Sequence, residues 1–137
     1  MLDSERFFEE LDTPWSSATI FLDIDGTLRP DGDREMSPEV LKKLAELKAK
    51  NEVHLISNKS NGAKKPSREA AEGVDIAGKK VVVIGDKFLT DGLFAKNIGA
   101  EFIKVRRKIS GRENFFVKVT YLIDDFISSI LWKQKNI

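Results

Sequence analysis

Ile20-Phe21-Leu22-Asp23-Ile24-Asp25-Gly26-Thr27-Leu28 is the stretch that decides the fold. An apolar strand ends here in two carboxylates one residue apart, followed by an Asp-Gly turn. Side chains alternate along a strand, so Asp23 and Asp25 point to the same side, where their repulsion is costly unless a cation or a shared proton relieves it. Packing does not require such a pair, so the stretch indicates an active site. The alternative is an Asp-Gly turn that simply ends a strand.

Apolar runs typical of strands alternate with segments of helical periodicity in the rest of the chain. This alternation predicts an α/β fold, a doubly wound, Rossmann-like parallel sheet of four to five strands with helices on both faces. The expected strands cover residues 18–24, 52–57, 81–85 and 100–105.

Helix boundaries are indicated by capping residues. Ser37-Pro38 predicts a helix start, with a cap and a proline in the first turn, and Asn51 is the expected stop. Gly99 is expected to end a helix over 88–97. Shorter helices are expected over 4–11 and 67–72.

Composition excludes several classes of function. A chain of 137 residues can bury one adequate core, so we expect a single domain over 1–137. The net charge of +1 gives no general attraction to nucleic acids or anionic membranes. Cysteine is absent, which excludes disulfides, thiolate catalysis and cysteine-based zinc sites. The first residues show no signal peptide, and we expect a cytoplasmic protein.

Three further polar segments follow the predicted strands or precede a predicted helix. They are Ser57-Asn58, Lys65-Pro66 and Gly85-Asp86 with Asp91 five residues later. In a doubly wound sheet these segments meet at the carboxyl edge of the strands. Individually they are less specific, because a serine after a strand often forms a turn and a loop lysine is usually solvated.

In this order the segments resemble the four motifs of the haloacid dehalogenase superfamily, most of whose members are phosphatases. The resemblance implies that Asp23 attacks phosphorus and forms an aspartyl-phosphate. It implies that Asp25 is the acid/base, which protonates the leaving oxygen and then activates the hydrolytic water.

The resemblance also implies the residues that bind phosphate. The backbone amides of Gly26 and Thr27 would face the phosphate. The Ser57 hydroxyl and amides near Asn58 would bind phosphoryl oxygens, and Lys65 would neutralise the nucleophile and the phosphate. Lys64 is the alternative for this role, and Pro66 favours Lys65 because the family lysine commonly precedes a proline.

Magnesium is the cofactor implied by the family. Asp23 and Asp86 would bind it directly, together with the backbone carbonyl of Asp25. Asp91 would bind it through water or orient Asp86 and Lys65.

Within the superfamily the chain most resembles subfamily IIIA, the group that includes phosphatidylglycerophosphate phosphatases. The segments that carry this resemblance are Lys64-Lys65-Pro66-Ser67 and Gly85–Gly92. Gly26 stands where that branch usually has Asn. The interval from Ser57 to Lys65 is too short for the helix and strand that the family places there. Either a short loop joins the two ends directly, or the chain was engineered, or the sequence omits a segment.

No interval between the motifs is long enough for a cap domain, so the site is expected to be open. An open site suits a bulky phosphorylated substrate, such as a lipid head group or a macromolecule, or a second subunit that covers it; small esters remain candidates. No specific nucleic acid is expected. The site residues favour a magnesium-dependent phosphomonoesterase, and the alternatives are a non-catalytic phosphate-binding or scaffold domain and a response-regulator receiver.

Two later segments bear on a peripheral membrane contact. Five cations occur within residues 104–112. This run is either a solvated loop or a contact for an anionic surface. Apolar residues then recur at helical spacing over 115–131. We expect a helix that covers the sheet rather than an interfacial anchor or a dimerisation face.

Overall fold

The computed structural model describes residues 6–30, 35–56, 78–110 and 115–135. The elements in chain order are β1 (Thr19–Asp23), α1 (Pro38–Lys50), β2 (Glu52–Ile56), β3 (Val81–Gly85), α2 (Leu93–Ile98), β4 (Glu101–Lys104) and α3 (Phe115–Lys135). A 3-10 turn, Phe8–Glu10, precedes β1, and a π-helical turn, Phe88–Gly92, leads into α2.

The four strands form one parallel sheet in the order β2-β1-β3-β4. All five residues of both β1 and β3 are buried, as expected for the central strands of a covered sheet. The order reverses between β1 and β3, and ligands bind at such a switch point in open α/β sheets. The predicted doubly wound sheet is confirmed, with four strands. The described part of the chain contains no cap domain.

Helices cover both faces of this sheet. On one face, α1 places Val40, Leu44 and Leu47 against alternate residues of β1 and β3, and the turn residue Phe8 joins this cluster. On the other face, Phe94 of α2 meets the ring of Phe21 edge to face, with the ring centroids 5.4 Å apart.

The predicted caps of α1 are confirmed. The Ser37 hydroxyl accepts a hydrogen bond from the Val40 amide at 3.2 Å, Pro38 is the first helical residue, and Asn51 ends the helix. Gly99 ends α2 with φ of 72°, a conformation that glycine adopts without steric cost.

The segment expected as one helix over 88–97 has a more specific shape. Its first turn is the wider π-helical turn, in which the Asp91 carboxylate accepts a hydrogen bond from the Lys87 amide at 3.2 Å. Such turns are frequent at functional sites. Here the turn directs Asp91 back toward the end of β3. The helix expected over 67–72 lies outside the described residues.

No helix within the described ranges combines the length and the hydrophobicity needed to span a bilayer.

Candidate active site

Three buried carboxylates meet at the carboxyl ends of the two central strands. Asp23 is the last residue of β1, Asp86 directly follows β3, and Asp91 lies in the π-helical turn. They are 5%, 1% and 0% exposed. One oxygen of each carboxylate lies within 4.8 Å of one oxygen of the other two. The sheet therefore concentrates negative charge at the point where its strand order reverses.

The donor set fits a hard divalent cation. Magnesium binds oxygen ligands at 2.0–2.1 Å, so two oxygens on opposite sides of the ion are about 4.2 Å apart. One carboxylate oxygen each of Asp23, Asp86 and Asp91 lies within 4.8 Å of the other two, close enough for side-chain movement to bring all three around one ion. A cation would also relieve the repulsion between buried like charges. These residues could hold Mg²⁺.

Two glycines make room for the carboxylates. A Cβ on Gly26 would lie 2.6 Å from Asp86 Oδ2, and the φ of Gly26 is +85°. A Cβ on Gly85 would collide with the carboxylate of Asp91. Side chains at either position would push an acid out of the group, so the acidic group requires glycine at both.

Thr27 connects the acids through its buried hydroxyl. The hydroxyl oxygen lies 3.0 Å from Asp23 Oδ2 and 3.4 Å from Asp86 Oδ1. A hydroxyl has one hydrogen to donate, and the shorter distance favours donation to Asp23 over donation to Asp86. Thr27 thus orients the predicted nucleophile.

The backbone amides of the turn have partners that the sequence did not indicate. The Gly26 amide donates to the Arg29 carbonyl at 2.7 Å, and the Thr27 amide donates to the Ile24 carbonyl at 3.3 Å. In this structure the two amides close the turn rather than face a phosphate, because the chain must reverse sharply within these residues. Phosphate binding by Gly26 and Thr27 stays a prediction.

Arg107 is the residue at this site that the sequence analysis missed. Its Nε donates to Asp86 Oδ2 at 2.7 Å, and its Nη2 donates to the Asp86 carbonyl at 3.3 Å. Its Nη1 lies 3.0 Å from both oxygens of Asp125 on α3, and its Nη2 lies 3.7 Å from Asp124 Oδ2. The guanidinium carbon stands 3.9 Å from the centroid of the Tyr121 ring. One guanidinium therefore joins α3 to the acidic group.

The surroundings of Arg107 favour its charged form, although the side chain is only 8% exposed. Burial by itself would lower the pKa of Arg107, but attraction and hydrogen bonding by Asp86, followed by attraction from Asp125 and Asp124, raise its pKa above the ordinary value. A signal for this residue existed in the sequence. Two adjacent acids interrupt the apolar helix pattern, and buried acids need a cationic partner.

Other cations of the basic run are also used internally. Lys108 Nζ lies 2.8 Å from both oxygens of Glu9, and its amide donates to the Gly26 carbonyl at 2.7 Å. Burial, and then repulsion by Arg107, lower the pKa of Lys104. The interpretation of a solvated loop is therefore wrong for Arg107 and Lys108, since acids of the fold attract them inward. Arg112 lies outside the described residues.

The remaining predicted residues are placed as follows. The Asp25 side chain is 18% exposed, its Oδ1 lies 4.0 Å from Arg29 Nε, and it stands apart from the described carboxylate group. β2 ends at Ile56, which pairs with Asp23. The predicted residues Ser57, Asn58 and Lys65 lie outside the described residues.

Comparison with known proteins gives one match. The family model described as HAD-hydrolase-like matches residues 63–128, a region that includes Asp86, Asp91 and Arg107. No curated protein and no solved structure matches the chain. The chain is thus similar to the HAD-like hydrolases over residues 63–128, and this match supports the resemblance to the haloacid dehalogenase superfamily without singling out a branch of it.

Proposed function

We propose that this protein is a magnesium-dependent phosphomonoester hydrolase that forms an aspartyl-phosphate on Asp23. The observation that carries the proposal is the buried group of Asp23, Asp86 and Asp91 at the switch point of the sheet. When bound there, magnesium would offset the negative charges of the nucleophile and the phosphate. Asp23 and Asp86 would be direct ligands with the Asp25 carbonyl, and Asp91 would act through water or by orienting Asp86.

The chain's own residues then divide the reaction into two displacements. A carboxylate oxygen of Asp23 forms a bond to phosphorus while the bond to the leaving oxygen breaks, and Asp25 donates a proton to that oxygen. Asp25 then takes a proton from water, which displaces the phosphate from Asp23. The Thr27 hydroxyl, 3.0 Å from Asp23 Oδ2, holds the nucleophile in one orientation.

Phosphate contacts are assigned to Ser57, Asn58 and Lys65, with Gly26 and Thr27 as further candidates. These assignments rest on the motif resemblance. The absence of a cap domain from the described ranges supports a bulky or lipid-linked phosphate monoester as the substrate, since such a molecule can itself exclude water from an open site. The second candidate is a non-catalytic domain that binds a phosphorylated partner. Its support is the ion pair of Arg107 and Asp86, since an acid held by a cation of the same chain also suits a site that binds phosphate without turnover.

The first experiment measures hydrolysis of p-nitrophenyl phosphate with Mg²⁺. We expect turnover that EDTA abolishes and that Asp23→Asn reduces by several orders of magnitude. The matched control is Asp12→Asn, because the Asp12 side chain is 94% exposed and its removal should leave the rate unchanged. Absence of turnover on a broad panel of phosphate esters, in a folded protein that binds Mn²⁺, would support the binding domain instead.

Acetyl phosphate distinguishes a hydrolase from a receiver. A hydrolase clears the phosphoryl label quickly, and Asp25→Ala should make the label persist. A stable label on the unchanged protein would indicate a receiver. Phosphate release from phosphatidylglycerophosphate in mixed micelles tests the lipid substrate, and inactivity there beside turnover of soluble esters would reject it.

A further inference from the structure

The outer face of α3 is apolar and exposed. Tyr121 and Asp124 are buried against the rest of the protein, and Asp125 is held by Arg107. The large apolar residues on the opposite side are exposed by 82% for Phe115, 70% for Leu122, 67% for Phe126, 49% for Ile123 and 43% for Ile130. The expectation that this face covers the sheet is wrong for these residues, because polar contacts to Arg107 fix the helix by its other side.

Three of these residues follow the spacing of a helix-pairing seam, together with the half-buried Val119. Phe115, Val119, Leu122 and Phe126 are separated by four, three and four residues. This alternation is the a and d pattern of coiled coils, in which each apolar side chain inserts between side chains of a facing helix. The seam therefore fits a second helix of the same kind.

We propose that α3 pairs with α3 of a second copy of this chain in antiparallel orientation. In the register that uses the whole seam, Phe115 lies opposite Phe126 of the second copy, and Val119 lies opposite Leu122 of the second copy. The pairing is isologous, so each contact occurs twice about a two-fold axis.

Charge selects this register over the alternatives. Lys118 and the half-exposed Asp125 are seven residues apart on the same flank of the seam, and in the proposed register each faces the other across the two-fold axis. Shifting one helix by a heptad would place Asp125 against Asp125 or Lys118 against Lys118. In a parallel pair, Lys118 would face Ile123, and Asp125 would face Ile130. Of these arrangements, only the proposed register places opposite charges across the flank, where the exposed side of the Asp125 carboxylate can accept a second cation beside Arg107.

The flank charges also favour a second copy over a membrane. Interfacial helices carry cations on the flanks of the apolar face, whereas one flank of this seam carries a single lysine, Lys118, and an acid, Asp125, that is already paired with Arg107. An aromatic side chain can bury about 150–250 Å², so the paired seams would bury roughly 1,000 Å² in total. This area is at the low end for specific complexes. We expect a weak, reversible dimer.

Sedimentation equilibrium across a concentration series tests the association. The native chain should pass from monomer to dimer, and Leu122→Asp should remain monomeric at every concentration. The matched control is Leu41→Asp, since Leu41 is also exposed, by 52%, but lies on α1 away from the seam. A native chain that stays monomeric, or a Leu122→Asp variant that still dimerises, would overturn the proposal. So would monomers that sediment with anionic lipid vesicles through this face.

Disulfide trapping tests the orientation, and the absence of native cysteine makes it clean. Phe115→Cys and Phe126→Cys should form a mixed disulfide when the two variants are combined, and neither should cross-link to itself. The reason is that two copies of residue 115 are about 16 Å apart along an antiparallel pair, beyond disulfide reach. Self-cross-linking of each variant without the mixed product would mean a parallel pair and refute the register.

Lys118→Glu provides the charge test. In the proposed register this change places the new glutamate of one copy opposite Asp125 of the other copy. The dissociation constant should therefore rise about tenfold at low salt and less at high salt. An unchanged dissociation constant would contradict the facing of Lys118 and Asp125. These three experiments do not depend on catalysis, so they stand apart from the proposed hydrolase activity.

Discussion

Replacing Arg107 with alanine should be among the most damaging single changes to the stability of this fold. The guanidinium is 2.7 Å from Asp86 Oδ2, and the two side chains are 8% and 1% exposed. Removing one partner of a buried ion pair costs about 3–5 kcal/mol, because the other charge is left without compensation. The contact with Asp125, whose side chain is 54% exposed, adds at most about 1 kcal/mol because solvent screens it.

The expected loss of about 4 kcal/mol is a large part of the stability of a typical domain. For a chain of this size it corresponds to a decrease in Tm of roughly 12–16 °C. Urea denaturation followed by circular dichroism measures the free energy of unfolding directly. Saturating Mg²⁺ should raise the Tm of Arg107→Ala more than that of the native protein, because a bound cation can neutralise Asp86 in place of the guanidinium.

Lys108→Gln is the matched control for this measurement. Its ion pair with Glu9 joins side chains that are 15% and 21% exposed, so the expected loss is about 1 kcal/mol, with no change in the Mg²⁺ effect. Arg107→Lys keeps the charge but loses the two-pronged contact, and its stability should lie between the native and alanine values. A loss below about 1 kcal/mol in Arg107→Ala, or equal Mg²⁺ shifts in both proteins, would refute the role assigned to Arg107.

Thr27→Val removes the hydroxyl that lies 3.0 Å from Asp23 Oδ2, so urea denaturation should show a decrease in the free energy of unfolding of about 1.5–3 kcal/mol. Thr27→Ser should retain most of the native stability, and equal stabilities of the two variants would contradict this role of the hydroxyl. Gly85→Ala forces the Asp91 carboxylate away from β3, so calorimetric titration should show Mg²⁺ affinity reduced about tenfold or more, and unchanged affinity would remove Asp91 from the metal site. Burial, and then repulsion by Arg107, lower the pKa of Lys104 below its ordinary value. The charged lysine therefore destabilises the fold at neutral pH, and this penalty is relieved as the pH rises toward 10.5. Lys104→Met should therefore exceed the native protein in stability at pH 7, with a difference that narrows toward pH 10.5; a difference that widens would show the opposite sign.

The sequence by itself determined the sheet and the acidic group. Alternating apolar runs gave strands that the structure places within a residue or two of their expected bounds, because burial on both faces of a central strand demands a continuous apolar run. Asp23 is the last residue of one such strand, and Asp86 directly follows another. Parallel strands bring their carboxyl ends to one edge, so the strand pattern predicts that both acids lie at this edge, and the pairing of β1 with β3 in the structure makes them neighbours.

Tertiary structure alone decided the partners of Arg107 and the orientation of α3. Asp86 and Asp125 are 21 and 18 residues from Arg107, and no local periodicity relates positions so far apart. The apolar pattern of α3 correctly predicted a helix. It gave the wrong face for packing, because ion pairs from Arg107 to Asp124 and Asp125 turn the polar side inward. Periodicity fixes which residues share a helix face, whereas the choice of the buried face depends on the charges that the rest of the fold presents to it.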